Sequence, residues 1–220
     1  MSVLVDPLLS PEHEEGLLPQ KKLQRFLKQS LDALGSAVLL TVLSPLFLLI
    51  AVSIKLDDGG PVFYRRRVVG QHGEFDAFKF RTMVPNATAV LESNPELREV
   101  YKRNFKLKKD PRITRTGAWL RKYSLDELPQ LFNVARGQMS LVGPRMSTAE
   151  ELDRYGRYRQ LILQVKPGIT GYWQVNGRQD VSFKEHMAMD VYYVEYWSLW
   201  LDAKILVKTP FKVVSGEGAY

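Results

Sequence analysis

The chain has 220 residues, with Lys+Arg 31 against Asp+Glu 24, a formal charge of +7 and no cysteine. That length holds one domain with accessories, and the missing cysteine excludes a disulfide frame, a Cys-based zinc site and a Cys nucleophile. His13, His72 and His186 are too scattered for a histidine metal centre; the basic balance suits an anionic surface or substrate, and without a nucleic-acid-binding signature no nucleic acid is expected as a partner.

Residues 1–20, with the acidic stretch Pro11-Glu12-His13-Glu14-Glu15, read as a loose tail. The apolar run that follows starts too late and is too long for a cleaved signal peptide. Residues 21–56 form a membrane segment: Ala33 to Ile54 are 22 residues without a charge. As one helix they reach about 33 Å, enough to cross a hydrocarbon core of about 30 Å. Ser44-Pro45 interrupts the run near its middle. Pro45 has no N–H for the Thr41 carbonyl and its ring crowds that carbonyl, so the helix kinks or breaks. The hydroxyls of Thr41 and Ser44 can serve the freed backbone groups.

Lys21, Lys22, Arg25 and Lys28 precede the run, and Lys55, Arg65, Arg66 and Arg67 follow it. Cationic flanks mark the cytoplasmic side, and both flanks qualify. The residues leave two topologies open: a Pro-kinked span, or a helix-break-helix that re-enters one leaflet. Asp32, at the mouth of this run, is expected to serve as a local cap or to pair with Lys28, one helical turn away.

Residues 57–220 read as a basic, soluble domain tied to the membrane segment. Asp57 to Pro61 is a turn, and Val62–Val69 and Glu74–Thr82 alternate around Gly70-Gln71-His72-Gly73 as a β-hairpin. Its second strand carries Lys79 and Arg81 on one face, either as solvated charges or as cations for a diphosphate. Residues 86–109 suit a polar helical insertion. After the turn Asp110-Pro111-Arg112, a short helix carries Arg115, Arg121 and Lys122.

Ser124 and Glu127 have the S-x-x-E spacing of a capping box, with Gly137 closing the helix. This predicts that Glu127 caps its own helix and that Asp126, in the first turn, stays ionised at the positive helix end. Met139–Arg145 is a short strand or turn, and Thr148–Val165 a polar helix. Lys166–Arg178 is an ordered loop around Tyr172 and Trp173, either a nucleotide pocket with Arg178 for a phosphate or a core plug. From Phe183 the chain is helical. Tyr192, Tyr193, Tyr196, Trp197 and Trp200, with Lys204 and Lys208, suit an in-plane membrane anchor or a buried aromatic core. The fold class is α+β, mainly helical, with a β-hairpin, amphipathic interfacial helices and a membrane helix-break-helix whose two topologies stay open on the residues alone.

The blocks KFRTM (Lys79–Met83), Asp110–Arg145 and KPGITGYWQVNGR (Lys166–Arg178) resemble the signatures of the bacterial sugar transferase family. These are monotopic phosphoglycosyl transferases that load a sugar 1-phosphate onto a polyprenyl phosphate such as undecaprenyl phosphate. The resemblance runs from about Lys21 to the end. It implies a re-entrant helix broken at Ser44-Pro45, on the cytoplasmic face of the bacterial inner membrane. It also implies an Asp126-Glu127 catalytic dyad with Mg2+, which both carboxylates would hold.

On this resemblance Asp126 attacks the sugar-bearing phosphate of a UDP-sugar and UMP leaves. Lys79, Arg81, Arg112, Arg121, Arg145, Arg178 and Trp173 are the expected substrate contacts. The product opens polysaccharide, lipopolysaccharide or glycoconjugate assembly. The chain resembles the short form of the family; its ending, Gly216-Glu217-Gly218-Ala219-Tyr220, is similar to members that handle hexose phosphates. Membrane lipid is an expected partner, and a homodimer is left open. One departure stands out: the family usually reads GPRP, and here Met146 follows Arg145. Two rivals remain: a non-catalytic membrane adaptor, and a metal-dependent glycosyltransferase that releases UDP instead of UMP.

Overall fold

The computed structural model describes residues 22–104, 107, 110–177 and 181–215. The tail 1–20, Arg178 and the ending 216–220 lie outside the described residues. Helix α1 (Lys22–Val42) meets α2 (Ser44–Asp58) at a bend of 60°. Among the described residues no single helix is long and apolar enough to cross a membrane, but this bent pair meets the criterion jointly.

The cause of the bend is local. Leu43 N–H still reaches Leu39 O and Phe47 N–H reaches Leu43 O, both at 2.9 Å. Pro45 has no N–H to offer Thr41, and the Ser44 hydroxyl takes that carbonyl at 2.8 Å. Leu34, Val38, Val42, Leu48, Leu49 and Val52 point outward and stay exposed. Ile50 and Ile54 face inward, packed with Phe80 and Leu120.

Strands β1 (Phe63–Gly70) and β2 (Gly73–Phe80) form the antiparallel hairpin, in register from Phe63↔Phe80 to Gly70↔Gly73. Gly73 closes the turn at φ 109, a conformation open to glycine. Helices α3 (Ala87–Glu92) and α4 (Pro95–Asn104) make the polar insertion, and α5 (Arg115–Lys122) follows. After a turn, α6 (Gln130–Ala135) packs along α1.

Strand β3 (Ser140–Val142) pairs in parallel with β4 (Gly168–Thr170), Ser140↔Gly168 and Val142↔Thr170. The expected helix over 148–165 is broken into α7 (Ala149–Asp153), a 3-10 turn (Gly156–Tyr158) and α8 (Arg159–Ile162). Gly156 takes φ 54 at the interruption, and Tyr155 beside it is drawn inward to donate to Asp190 at 2.8 Å. Helices α9 (Tyr172–Asn176), α10 (Phe183–Glu195) and α11 (Leu199–Ser215) complete the chain.

Helix α1 is tied to this body by polar contacts. Asp32 accepts the Leu141 N–H at 3.0 Å, and Lys28 lies 3.8 Å from Asp32 and 2.7 Å from Asp202. A Cβ on Gly35 would meet Leu141 at 2.9 Å, so α1 and β3 touch where glycine permits it. The aromatic cluster is split by burial. Tyr193 is 1% exposed, its hydroxyl 2.8 Å from Asp202 Oδ1 and 3.0 Å from Val142 O, while Tyr196 and Trp200 are exposed.

Candidate active site

The predicted dyad sits on a turn, not on a capped helix. Ser124 adopts φ 52, its side chain makes no cap bond, and Leu125–Glu127 is a single 3-10 turn ahead of Pro129 and α6. The capping-box expectation is therefore corrected. Glu127 is drawn instead across the fold to Lys79, whose Nζ donates to Oε1 at 2.6 Å. An ion pair with a partly buried ammonium outcompetes a backbone cap. Asp126 is buried, with Oδ2 3.8 Å from the same Lys79 nitrogen.

Lys79 is placed by β2, which ends one residue later. Arg121 is placed by α5, which Thr114 caps by accepting the Gly117 N–H at 3.0 Å. A Cβ on Gly117 would fall 2.1 Å from Thr82 O, so glycine alone lets α5 press onto this backbone. One turn on, Arg121 Nε donates to Thr82 Oγ1 at 2.9 Å.

The two carboxyls are driven apart. Burial pushes Asp126 up to about 6, helped by the neighbouring Glu127 charge and opposed by Lys79 and Arg121. Burial also works to raise Glu127, but Lys79, Arg145 and Arg66 outweigh it and hold that carboxyl below its ordinary value. Such separation gives adjacent acids different roles.

Arg145 follows β3, where Pro144 O accepts the Gly168 N–H at 2.9 Å. Its guanidinium lies 5.5 Å from the Trp173 ring centroid, and its charge acts on Glu127. Trp173 Nε1 is buried with no hydrogen-bond partner among the described residues, and its ring meets His186 edge-on at 4.6 Å. Lys79, Arg121 and Arg145 thus gather around the dyad, with Trp173 behind Arg145.

Arg81 and Arg112 have other partners. Arg81 is buried, forks onto Asp58, and donates to Pro61 O at 2.6 Å and Met83 O at 2.8 Å. Arg112 forks onto Asp110 at 2.8 and 2.7 Å. Bidentate pairing to a carboxylate ties up the planar fork, so both arginines brace the frame around the site.

Sequence reasoning passed over Arg66, Glu151 and Thr82. Arg66 Nη2 donates to both carboxylate oxygens of Glu151 at 2.8 Å, and its charge acts on Glu127. Glu151 also closes a real capping box with Thr148. The same T-x-x-E spacing was visible in the sequence; its ion pair with a residue 85 positions earlier was not.

Residues 23–216 match the family model described as bacterial sugar transferase. The chain belongs to the bacterial sugar transferase family. It is 46% identical over 205 residues to the "Undecaprenyl-phosphate galactose phosphotransferase" of Salmonella typhimurium, covering 91% of this chain and 43% of that protein. It is 44% identical to the "Exopolysaccharide production protein ExoY" of Rhizobium meliloti, covering 97% and 96%. A "UDP-glucose:undecaprenyl-phosphate glucose-1-phosphate transferase" of Xanthomonas campestris is 40% identical, with 86% of this chain and 39% of that protein matched. The chain thus spans less than half the length of the Salmonella and Xanthomonas relatives and nearly all of the Rhizobium one.

For this sugar transferase family member, Met146 in place of the usual proline is accommodated as core. It is 3% exposed among Val68, Phe75, Ala77, Val134 and Met139. Among the described residues no group of three or more His, Asp or Glu could hold a metal by itself. Asp126 and Glu127 offer hard oxygen donors, and Mg2+ commonly takes one or two carboxylates plus substrate phosphate and water. The residues fit Mg2+ as an ion shared with a bound diphosphate.

Proposed function

We propose that this chain transfers a hexose 1-phosphate from a UDP-sugar to polyprenyl phosphate and releases UMP, as the opening membrane step of exopolysaccharide or related glycan assembly. The observation that carries this is Asp126: a buried carboxyl with a raised proton affinity, flanked by Lys79 and Arg121. The printed names of the relatives support the substrates, since they specify undecaprenyl phosphate with galactose or UDP-glucose.

Asp126 in its ionised form attacks the phosphorus that bears the sugar. The new bond joins Asp126 oxygen to that phosphorus, and the bond to the UMP oxygen breaks. An oxygen of polyprenyl phosphate then attacks the same phosphorus, which frees the Asp126 carboxylate and yields a polyprenyl diphosphate sugar. Lys79, Arg121 and Arg145 neutralise phosphate charge as it moves between these oxygens. Glu127, kept ionised, orients Lys79. Asp126 and Glu127 would hold Mg2+, which would supply Lewis-acid neutralisation of the diphosphate. Arg145 with Trp173 is the seat for the nucleotide side.

The bent pair α1–α2 is the membrane element of the proposal, entering and leaving the cytoplasmic leaflet. Its 60° bend and exposed apolar face support a re-entrant placement. The test is incubation of the purified chain with Mg2+, polyprenyl phosphate and a panel of UDP-sugars that includes UDP-galactose and UDP-glucose. UMP together with a lipid-linked sugar phosphate is expected. Release of UDP, or no acceptor-dependent product from any donor, overturns the proposal.

A further inference from the structure

The face of the hairpin opposite the dyad carries a second basic feature. Strand residues alternate between faces, so Phe63, Arg65, Phe78 and Phe80 lie together, away from Lys79. Arg65 and Phe78 are cross-strand partners. The Arg65 guanidinium is 5.6 Å from the Phe78 ring centroid, and the Arg136 guanidinium is 4.9 Å from the same centroid. Two cations therefore share one ring. Both arginines are exposed, and among the described residues neither meets a carboxylate. Arg67, farther along the strand on this face, differs: it pairs with Glu74 at 3.0 Å and Asp76 at 3.4 Å.

Below this pair runs an apolar ledge continuous with the bent helices. Phe47 of α2 contacts Phe80 at 5.2 Å and Phe132 at 6.0 Å, and Phe80 stacks on Phe63 at 5.5 Å. Phe63 is 48% exposed and Phe132 40%. Each exposed ring is followed by one of the cations. Arg65 comes two residues after Phe63 on β1, a step of about 7 Å. Arg136 follows Phe132 by one turn at the end of α6, about 6 Å. Two separate elements thus rise from apolar to cationic over the same short distance. That is the profile of a bilayer surface, from acyl chain to phosphate.

We propose that Arg65 and Arg136, spread on Phe78, form a seat for the phosphodiester of an anionic bilayer phospholipid, separate from the catalytic phosphate site. This rests on the membrane placement given under the proposed function. The seat would set the height and tilt of the hairpin at the leaflet. Loss of one basic residue near an anionic surface weakens attraction about fivefold, so both together should count for roughly twenty- to thirtyfold.

The test uses the full chain in a neutral detergent, titrated separately with short-chain phosphatidylglycerol and phosphatidylcholine, with bound lipid read by native mass spectrometry. The parent should prefer phosphatidylglycerol. Arg65→Gln combined with Arg136→Gln should lose that preference by about the stated factor, while Arg67→Gln changes it less than about twofold because that cation is already paired. An unchanged preference in the double variant, or an equal loss in Arg67→Gln, overturns the seat. So does a raised KM for polyprenyl phosphate in the double variant without phospholipid, which would assign the arginines to the acceptor. Flotation with pure phosphatidylcholine vesicles tests the membrane placement alone. A parent that does not float defeats that placement; one that floats but shows no anionic preference defeats only the seat.

Discussion

Lys79 Nζ lies 2.6 Å from Glu127 Oε1 and 3.8 Å from Asp126 Oδ2, so a single ammonium serves both members of the dyad. The closer carboxylate keeps its charge, and the farther one is left with burial as the dominant influence. This asymmetry underlies the first two predictions.

Replacing Lys79 by Met should remove the shared cation and push Asp126 above its value of about 6. The rate should fall by at least about a hundredfold, as for loss of one preorganised charge partner. The acid limb of the pH–rate profile should move to higher pH. A profile that keeps its acid limb in place would sink the assignment of Lys79 as the ion that tunes Asp126.

Asp126→Asn should abolish transfer yet stabilise the metal-free protein at pH 8. A carboxyl raised in the fold favours its neutral form. The cost of ionising it is absent below the ordinary 3.8, grows as pH rises, and is complete above about 6. An amide never ionises, so the gain should be about 3 kcal/mol at pH 8 and fall below about 1 kcal/mol near pH 4. Thermal melts in EDTA at both pH values check this, and UMP release checks the activity. Normal turnover by the variant would rule out Asp126 as nucleophile.

A covalent route predicts exchange of labelled UMP into UDP-sugar with no lipid acceptor present, together with ping-pong kinetics. Exchange that requires polyprenyl phosphate would favour direct displacement in a ternary complex.

Arg81→Gln and Arg121→Gln should separate frame from site. Arg81 is buried and donates to Pro61 O and Met83 O as well as to exposed Asp58, so its loss should cost about 1–2 kcal/mol by leaving those carbonyls without a donor. Arg121→Gln should leave melting within a few degrees and lower kcat instead. The reverse pattern would exchange their roles.

Replacing Ser44 with Ala and Pro45 with Leu restores an N–H for the Thr41 carbonyl and good helix formers at the bend. The two half-helices should fuse into one segment of spanning length, while the cationic flanks oppose translocation. Single cysteines introduced at Ser10 and Ser215 of this Cys-free chain report the result through an impermeant reagent in intact cells. In the parent both sites should be shielded; in the variant Ser10→Cys should become partly reactive. A reactive residue 10 in the parent would mean an ordinary transmembrane anchor.

Features governed by a few neighbouring residues were legible in the chain itself. The Ser44-Pro45 break follows from one missing N–H, and the hydroxyl that repairs it sits next to it. The hairpin follows from period-2 alternation around a glycine turn, whereas the Asp126-Glu127 pair alone is a weak signal and took its dyad reading from the resemblance of its block to the family's signatures. Tertiary structure decided what local pattern left degenerate. Ser124-x-x-Glu127 and Thr148-x-x-Glu151 share one spacing, yet only the second caps a helix, because Lys79 arrives from 48 positions away to take Glu127. The same holds for Arg81 and Arg112, whose carboxylate partners and burial set them apart from Arg121. A cation in sequence is only a charge; whether it braces the fold or faces a phosphate depends on which oxygen reaches it first when the chain packs.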